Sequence, residues 1–295
     1  MCVRRSEPST RATATADAAH RLITPPDEHR SQPAGPESGF IATFGTGEPH
    51  TLFGHGFAGA IRDTRPFGTG ITGTRHFLHL PGHGGRPSPR SGWTYPQIAE
   101  VLADAVSITS ASRALGVSMS AGGLLHLLSI AHPVTRGLDK VALVLPASFT
   151  GFPAEVAAAN RSYLERLRRL VDDEDIDGIV ELMLSREPAE VAEMLPARAW
   201  TKAKAENLVH TDMSDGLGLA LEIAVADTAE AAENLRSFAG EVLILTHEDD
   251  PAHPVAVAED IHRAIPSSRL EVLPAGSILW RGRHEVRRIL GEFFG

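Results

Sequence analysis

The stretch Gly116-Val117-Ser118-Met119-Ser120-Ala121-Gly122 sets a serine between small residues. It is entered by the apolar pair Ala114-Leu115 and left by Ala121-Gly122-Gly123-Leu124-Leu125-His126-Leu127-Leu128. A serine at a sharp corner between a strand end and a buried helix start has its hydroxyl exposed for attack on a carbonyl carbon. Small residues at Gly116 and Ser120 suit a corner where strand and helix approach closely and the serine backbone is strained. Ser120, though not a glycine, is still small.

A second group of reactive side chains is Thr246-His247-Glu248-Asp249-Asp250-Pro251-Ala252-His253-Pro254. Its acids suit a carboxylate that orients a base, or equally a strand end and the cap of a following helix. Its two histidines and two aspartates would allow a metal, although a strand-end loop explains them better. His55 and His83 sit in the glycine-containing runs His55-Gly56-Phe57 and Pro81-Gly82-His83-Gly84-Gly85. No G-x-G-x-x-G, Walker-type or H-E-x-x-H pattern occurs, so neither cofactor nor metal is expected.

The elements that must carry these residues can be read from texture. Phe40-Phe44, Thr51-Phe53, His76-Leu80, Val141-Leu145, Glu241-Leu245 and Leu270-Leu273 read as strands, in addition to the one that enters the serine corner. Several end in glycine-rich loops, which suits a parallel sheet whose working edge lies at the carboxyl ends. Thr94-Tyr95-Pro96 starts a helix with Ile98, Val101, Leu102 and Ala105 on one stripe. A further helix is expected from about Pro254 to Ala264. The last helix carries Val286, Ile289, Leu290, Phe293 and Phe294 on one face. Residues 151–236 show helical patterning only and read as an inserted helical cap between core segments 37–150 and 237–295. Residues 1–36, rich in Arg, Ser, Thr, Ala and Pro, read as a disordered tail. The alternation predicts an α/β, doubly wound, mostly parallel sheet.

A chain of 295 residues can bury a substantial core. Its single cysteine, Cys2, excludes an internal disulfide and argues against thiolate catalysis. A formal net charge of −9, with acids outnumbering bases in 151–236, argues against a nucleic-acid surface. Arg4 and Arg5 are not followed by an apolar run, and no run is long enough to cross a bilayer. A cytoplasmic protein with no membrane or nucleic-acid partner is expected. Nothing in the sequence selects an oligomeric state.

From about residue 38 onward the chain resembles the α/β-hydrolase fold superfamily, in the order of its motifs as well as their content. His55-Gly56-Phe57 resembles the family's H-G-x loop, Pro81-Gly82-His83-Gly84 its glycine-rich turn, and Gly116-Ser120 its nucleophile elbow. The resemblance implies Ser118 as nucleophile and the backbone amides of Phe57 and Met119 as oxyanion hole. Asp250, better spaced than Asp249, falls at the family's acid position. The family's histidine would fall beside Gly276, in Leu273-Pro274-Ala275-Gly276-Ser277, where Ser277 stands instead. A hydroxyl has no nitrogen that titrates near neutrality and cannot relay the Ser118 proton. His284 lies beyond that slot, on the expected last helix, and His126 lies two turns beyond Ser118. His55, Gly56, His83, His253 and Ser277 remain pocket candidates, with His247 and His253 flanking the acid.

The resemblance therefore implies an atypical member with an incomplete triad, acting on a carbonyl-containing substrate: an ester, a thioester or a peptide. The alternatives are a non-hydrolytic member and a non-catalytic protein that binds a small molecule or peptide. The first would be a divergence of the bottromycin-epimerase kind, a peptide epimerase or isomerase of natural-product biosynthesis.

Overall fold

The central strands are nearly continuous apolar runs, which only a sheet covered on both faces accommodates. In the computed structural model, β1 (Ile41–Phe44), β2 (His50–Gly54), β3 (Thr74–Leu78), β4 (Arg113–Val117), β5 (Lys140–Val144), β6 (Glu241–His247) and β7 (Arg269–Leu273) form one sheet in the order β1-β3-β2-β4-β5-β6-β7. Only β1 is antiparallel, pairing Ile41 with Leu78; the remaining pairs are parallel. The structure describes residues 38–89, 93–146, 149–151, 154–210 and 214–295. The expected tail, 1–36, lies outside the described residues.

The period-two alternation of a strand sends neighbouring side chains to opposite faces. Leu52, Val141, Leu143, Val242 and Ile244 enter one core; Phe53, Ala142, Val144, Leu243 and Leu245 enter the other. The first core is closed by the helices α2 (Tyr95–Thr109), α3 (Met119–Ser129), α8 (Ala229–Ser237) and α9 (Val255–Ala264). The second is closed mainly by α10 (Arg283–Phe294), through the five apolar residues expected from its sequence. Thr94 caps α2 reciprocally: its hydroxyl accepts from Gln97 N and the Gln97 side chain accepts from Thr94 N.

Between β5 and β6 the described residues form helices and no strand: α4 (Ala154–Asp172), α5 (Ile176–Leu184), α6 (Ala189–Ala192) and α7 (Leu195–His210), then α8. Leu167, Ile179, Leu182, Ala205 and Leu208 make a third core that belongs to α4, α5 and α7. Within the expected cap, α8 behaves differently, because Ala231 and Leu235 pack into the first sheet core.

Chain connections reverse direction across the sheet between β2 and β4. Ligands bind at such a point, beyond the carboxyl ends of the strands. The loop after β2 carries His55, Gly56 and Phe57; the turn after β4 carries Ser118.

Candidate active site

Ser118 occupies the N-cap of α3 with φ 50° and ψ −104°, a conformation rare for a residue with a side chain. The surroundings impose it. Ser118 N donates to Val144 O at 2.9 Å and Gly122 N donates to Ser118 O at 3.0 Å. A Cβ at Gly116 would meet the backbone of Ser120 and Ala121 at 2.6 Å, so the strand can pass this close to α3 only as glycine. Ser120 has its own use. Its fully buried hydroxyl accepts from Val117 N at 3.0 Å and donates to His55 O at 2.8 Å, tying the serine corner to the loop after β2.

That loop lies against the serine, since a Cβ on Gly56 would stand 3.2 Å from Ser118 Cβ. The tight turn continues through Ala58, at φ 53°, and closes with Gly59 N donating to Gly56 O. Phe57 and Met119, whose amides were expected to face a developing oxyanion, line one cavity of about 290 Å³ together with Ser118, His55 and Gly56.

The expected vacancy beside Ser118 is filled, and from a different loop. His253 Nε2 lies 3.0 Å from Ser118 Oγ, and His253 Nδ1 lies 2.7 Å from Asp250 Oδ2. With Nδ1–H donating to the carboxylate, Nε2 accepts from the serine hydroxyl. The incomplete triad expected from Ser277 is thereby corrected: the residues needed for a serine, histidine and carboxylate relay are in contact. Asp250 builds the short turn that makes this reach possible. Its Oδ1 accepts from Ala252 N at 2.8 Å and His253 N at 3.1 Å, folding the chain back before α9. The helix-cap reading of the acids is corrected for Asp250: α9 begins behind Pro254 with no side-chain cap, and Oδ1 closes the turn that precedes the helix while Oδ2 meets His253.

Burial by itself would raise the Asp250 carboxyl. The charge and hydrogen bond of His253, the nearby His247 and the Ala252 amide outweigh it and hold the group well below the usual carboxylate range. His247 Nε2 lies 3.6 Å from Asp250 Oδ2, so the carboxylate stands between two imidazoles.

The other candidates separate cleanly. His55 donates from Nδ1 to Gly56 O at 2.8 Å and accepts at Nε2 from Leu80 N at 3.2 Å, which fixes a neutral ring. Burial, then the neighbouring His83, pushes its pKa well below the ordinary value. His55 thus braces the loop and has no free nitrogen for Ser118. His83 is corrected as a pocket candidate: it borders a second cavity of about 310 Å³ with His79 and Asn207, and burial lowers its pKa to about 4. Ser277 is also corrected. It is buried against Gly282, outside the lining of the first cavity, while its neighbour Gly276 donates toward His247 Nδ1 at 3.3 Å. His126 bonds Ala224 O, and His284 is exposed on α10.

Several lining residues had no motif to reveal them. Arg186 and Glu187, just after α5, and Lys204 on α7 enter the cavity from the helical segment; Asp63 and Trp200 meet at its edge through a 2.7 Å hydrogen bond from Trp200 Nε1. Among the described residues, no three His, Cys, Asp or Glu side chains are placed so that they could hold a metal ion, and no helix is long and apolar enough to cross a membrane.

No protein-family model matches the sequence, and no curated protein matches it. Solved structures do. An esterase from Exiguobacterium antarcticum superposes with a TM-score of 0.65 at 16% identity, covering 86% of this chain and 95% of that one. The chain has the α/β-hydrolase fold. The enol-lactonase from Burkholderia xenovorans matches with a TM-score of 0.64 at 17% identity, over 85% and 94% of the two chains. MenH from S. aureus matches with a TM-score of 0.61 at 16% identity, over 85% and 97%. The loop directly after β7 carries Ser277 beside Gly276, and His253 stands three residues beyond Asp250.

Proposed function

We propose that this protein is a serine hydrolase that cleaves a carboxylic ester or thioester through a Ser118–His253–Asp250 relay. The observation that carries the reading is the 3.0 Å contact between Ser118 Oγ and His253 Nε2, continued by the 2.7 Å contact to Asp250. His253 takes the Ser118 proton as Oγ bonds to the substrate carbonyl carbon, and the carbonyl electron pair moves onto oxygen. The Phe57 and Met119 amides receive that charge; removing one such donor costs roughly 3 kcal/mol of barrier stabilisation. The imidazolium, held by Asp250, returns the proton to the departing alkoxide or thiolate, leaving Ser118 acylated. Water, deprotonated by the same ring, then releases the acid and restores the hydroxyl.

A fluorophosphonate probe followed by intact mass measurement tests this directly. One adduct per chain, lost in Ser118→Ala and strongly slowed in His253→Ala, is the expected result. A folded protein that takes no adduct would falsify the assignment.

A further inference from the structure

Two cations of the helical segment face the cavity that holds Ser118, and neither has a carboxylate within ion-pair distance among the described residues. The Lys204 ammonium sits 4.5 Å over the Trp200 ring. The Arg186 guanidinium stacks 3.7 Å from the Tyr163 ring and donates from Nη2 to Asn160 Oδ1 at 2.8 Å. These contacts hold both side chains in place without neutralising them. Tyr163, Trp200 and Asn160 line the same cavity.

From this geometry we infer that the pocket recognises a substrate carrying a second, anionic group, a carboxylate, held by Lys204 and Arg186 while its ester lies at Ser118. The inference rests on the serine-hydrolase reading for the reaction and on the two cations for the substrate class.

The acids nearby do not already supply the anion. Asp63 is engaged by the Ala60 amide at 2.8 Å and by Trp200 Nε1. Asp250 is committed to His253. Two further carboxyls line the cavity: Asp249, which is exposed to solvent, and Glu187, whose pKa burial and then the charge of Asp250 raise against the opposing charges of His253 and Lys204. Burial lowers the pKa of Lys204 and of Arg186 more than the carboxylates beyond ion-pair distance, Asp63 and Glu187 for Lys204 and Asp250 for Arg186, raise it, and a bound carboxylate would relieve that imbalance. Arg186 presents a planar fork that suits a carboxylate, and Lys204 a point charge; both are in a largely apolar pocket where an ion contact is little screened. With about 290 Å³ to fill, the ligand is of modest size.

Binding and turnover are measured separately. Calorimetry of the intact protein with the α,ω-dicarboxylates from succinate to suberate, each against its diamide, reads recognition without chemistry. At least one dicarboxylate should bind tenfold or more tightly than its diamide, and Lys204→Met and Arg186→Met should each remove most of that difference, with Lys204→Arg retaining more of it. No dicarboxylate binding better than its diamide, or a preference unchanged in both Met variants, overturns the inference.

The monomethyl ester of the best dicarboxylate, compared with the same ester bearing a carboxamide, then gives the kcat/KM ratio, with the loss in the variants expected mainly in KM. A ratio near one also overturns the inference. Stoichiometric labelling of Ser118 alongside a failed dicarboxylate preference would leave the hydrolase reading standing and remove only this one; binding preference without labelling would do the reverse.

Discussion

In the proposed relay, Ser118 has a proton acceptor because Asp250 performs two tasks at once. One oxygen pins the backbone of residues 252 and 253, and the other receives His253 Nδ1. Removing the ring should therefore be far more damaging than altering Ser277: His253→Ala is expected to lower kcat/KM about 10⁴-fold on any ester the enzyme turns over. Adding Ser277→His to it should not restore activity, because that side chain packs on Gly282. Stopped-flow or steady-state ester hydrolysis on the two variants checks both statements. Asp250 also makes a pH prediction. Its carboxyl is depressed in the folded protein, so its stabilisation is fully present above the unfolded-state pKa of about 3.9 and is lost as pH falls through the lower folded value. Urea melts from pH 7 down to pH 3 should show the stability gap between wild type and Asp250→Asn narrowing below about pH 4. A gap that widens there would contradict the sign.

Elements position the site through close backbone approaches. Gly116 lets β4 run against α3, Gly56 lets the loop after β2 lie on Ser118, and the Ser120 hydroxyl joins the two. The sequence showed the corner and the small residues, but not why the second small residue is serine; its partner, His55 O, is 65 positions away. Ser120→Ala leaves a buried carbonyl and a buried amide short of a partner and should cost about 1–3 kcal/mol. Urea denaturation measures the cost, and fluorophosphonate labelling of Ser118 should slow in the same variant, because the His55 carbonyl fixes the strand end that leads to Phe57.

At the scale of the whole molecule, the sheet and the helical segment have separate apolar cores, with Ile179 fully buried in the latter. Ile179→Ala should cost about 2–5 kcal/mol within that segment. Hydrogen exchange in the variant should quicken over 154–210 while β4, β5 and β6 keep their protection, and KM should rise more than kcat falls. Uniform acceleration across the chain would show that the cores unfold as one.

The sequence by itself determined the sheet and its helices, because strand and helix periodicities are local and the glycine-rich strand ends mark the working edge. It also singled out Ser118 and Asp250, by a resemblance whose motifs are a strand-to-helix corner and a strand-end loop. Only the tertiary structure brought His253 to Ser118 and the two cations to the same cavity. His253 reads in one dimension as a flanking residue; a three-residue turn around Asp250 aims it at a serine 135 positions away. Lys204 lies on α7 and Arg186 in the turn after α5, where the sequence pattern speaks only of burial and exposure. That they line the same cavity as Ser118 follows from packing between segments distant in the chain, which no local spacing encodes.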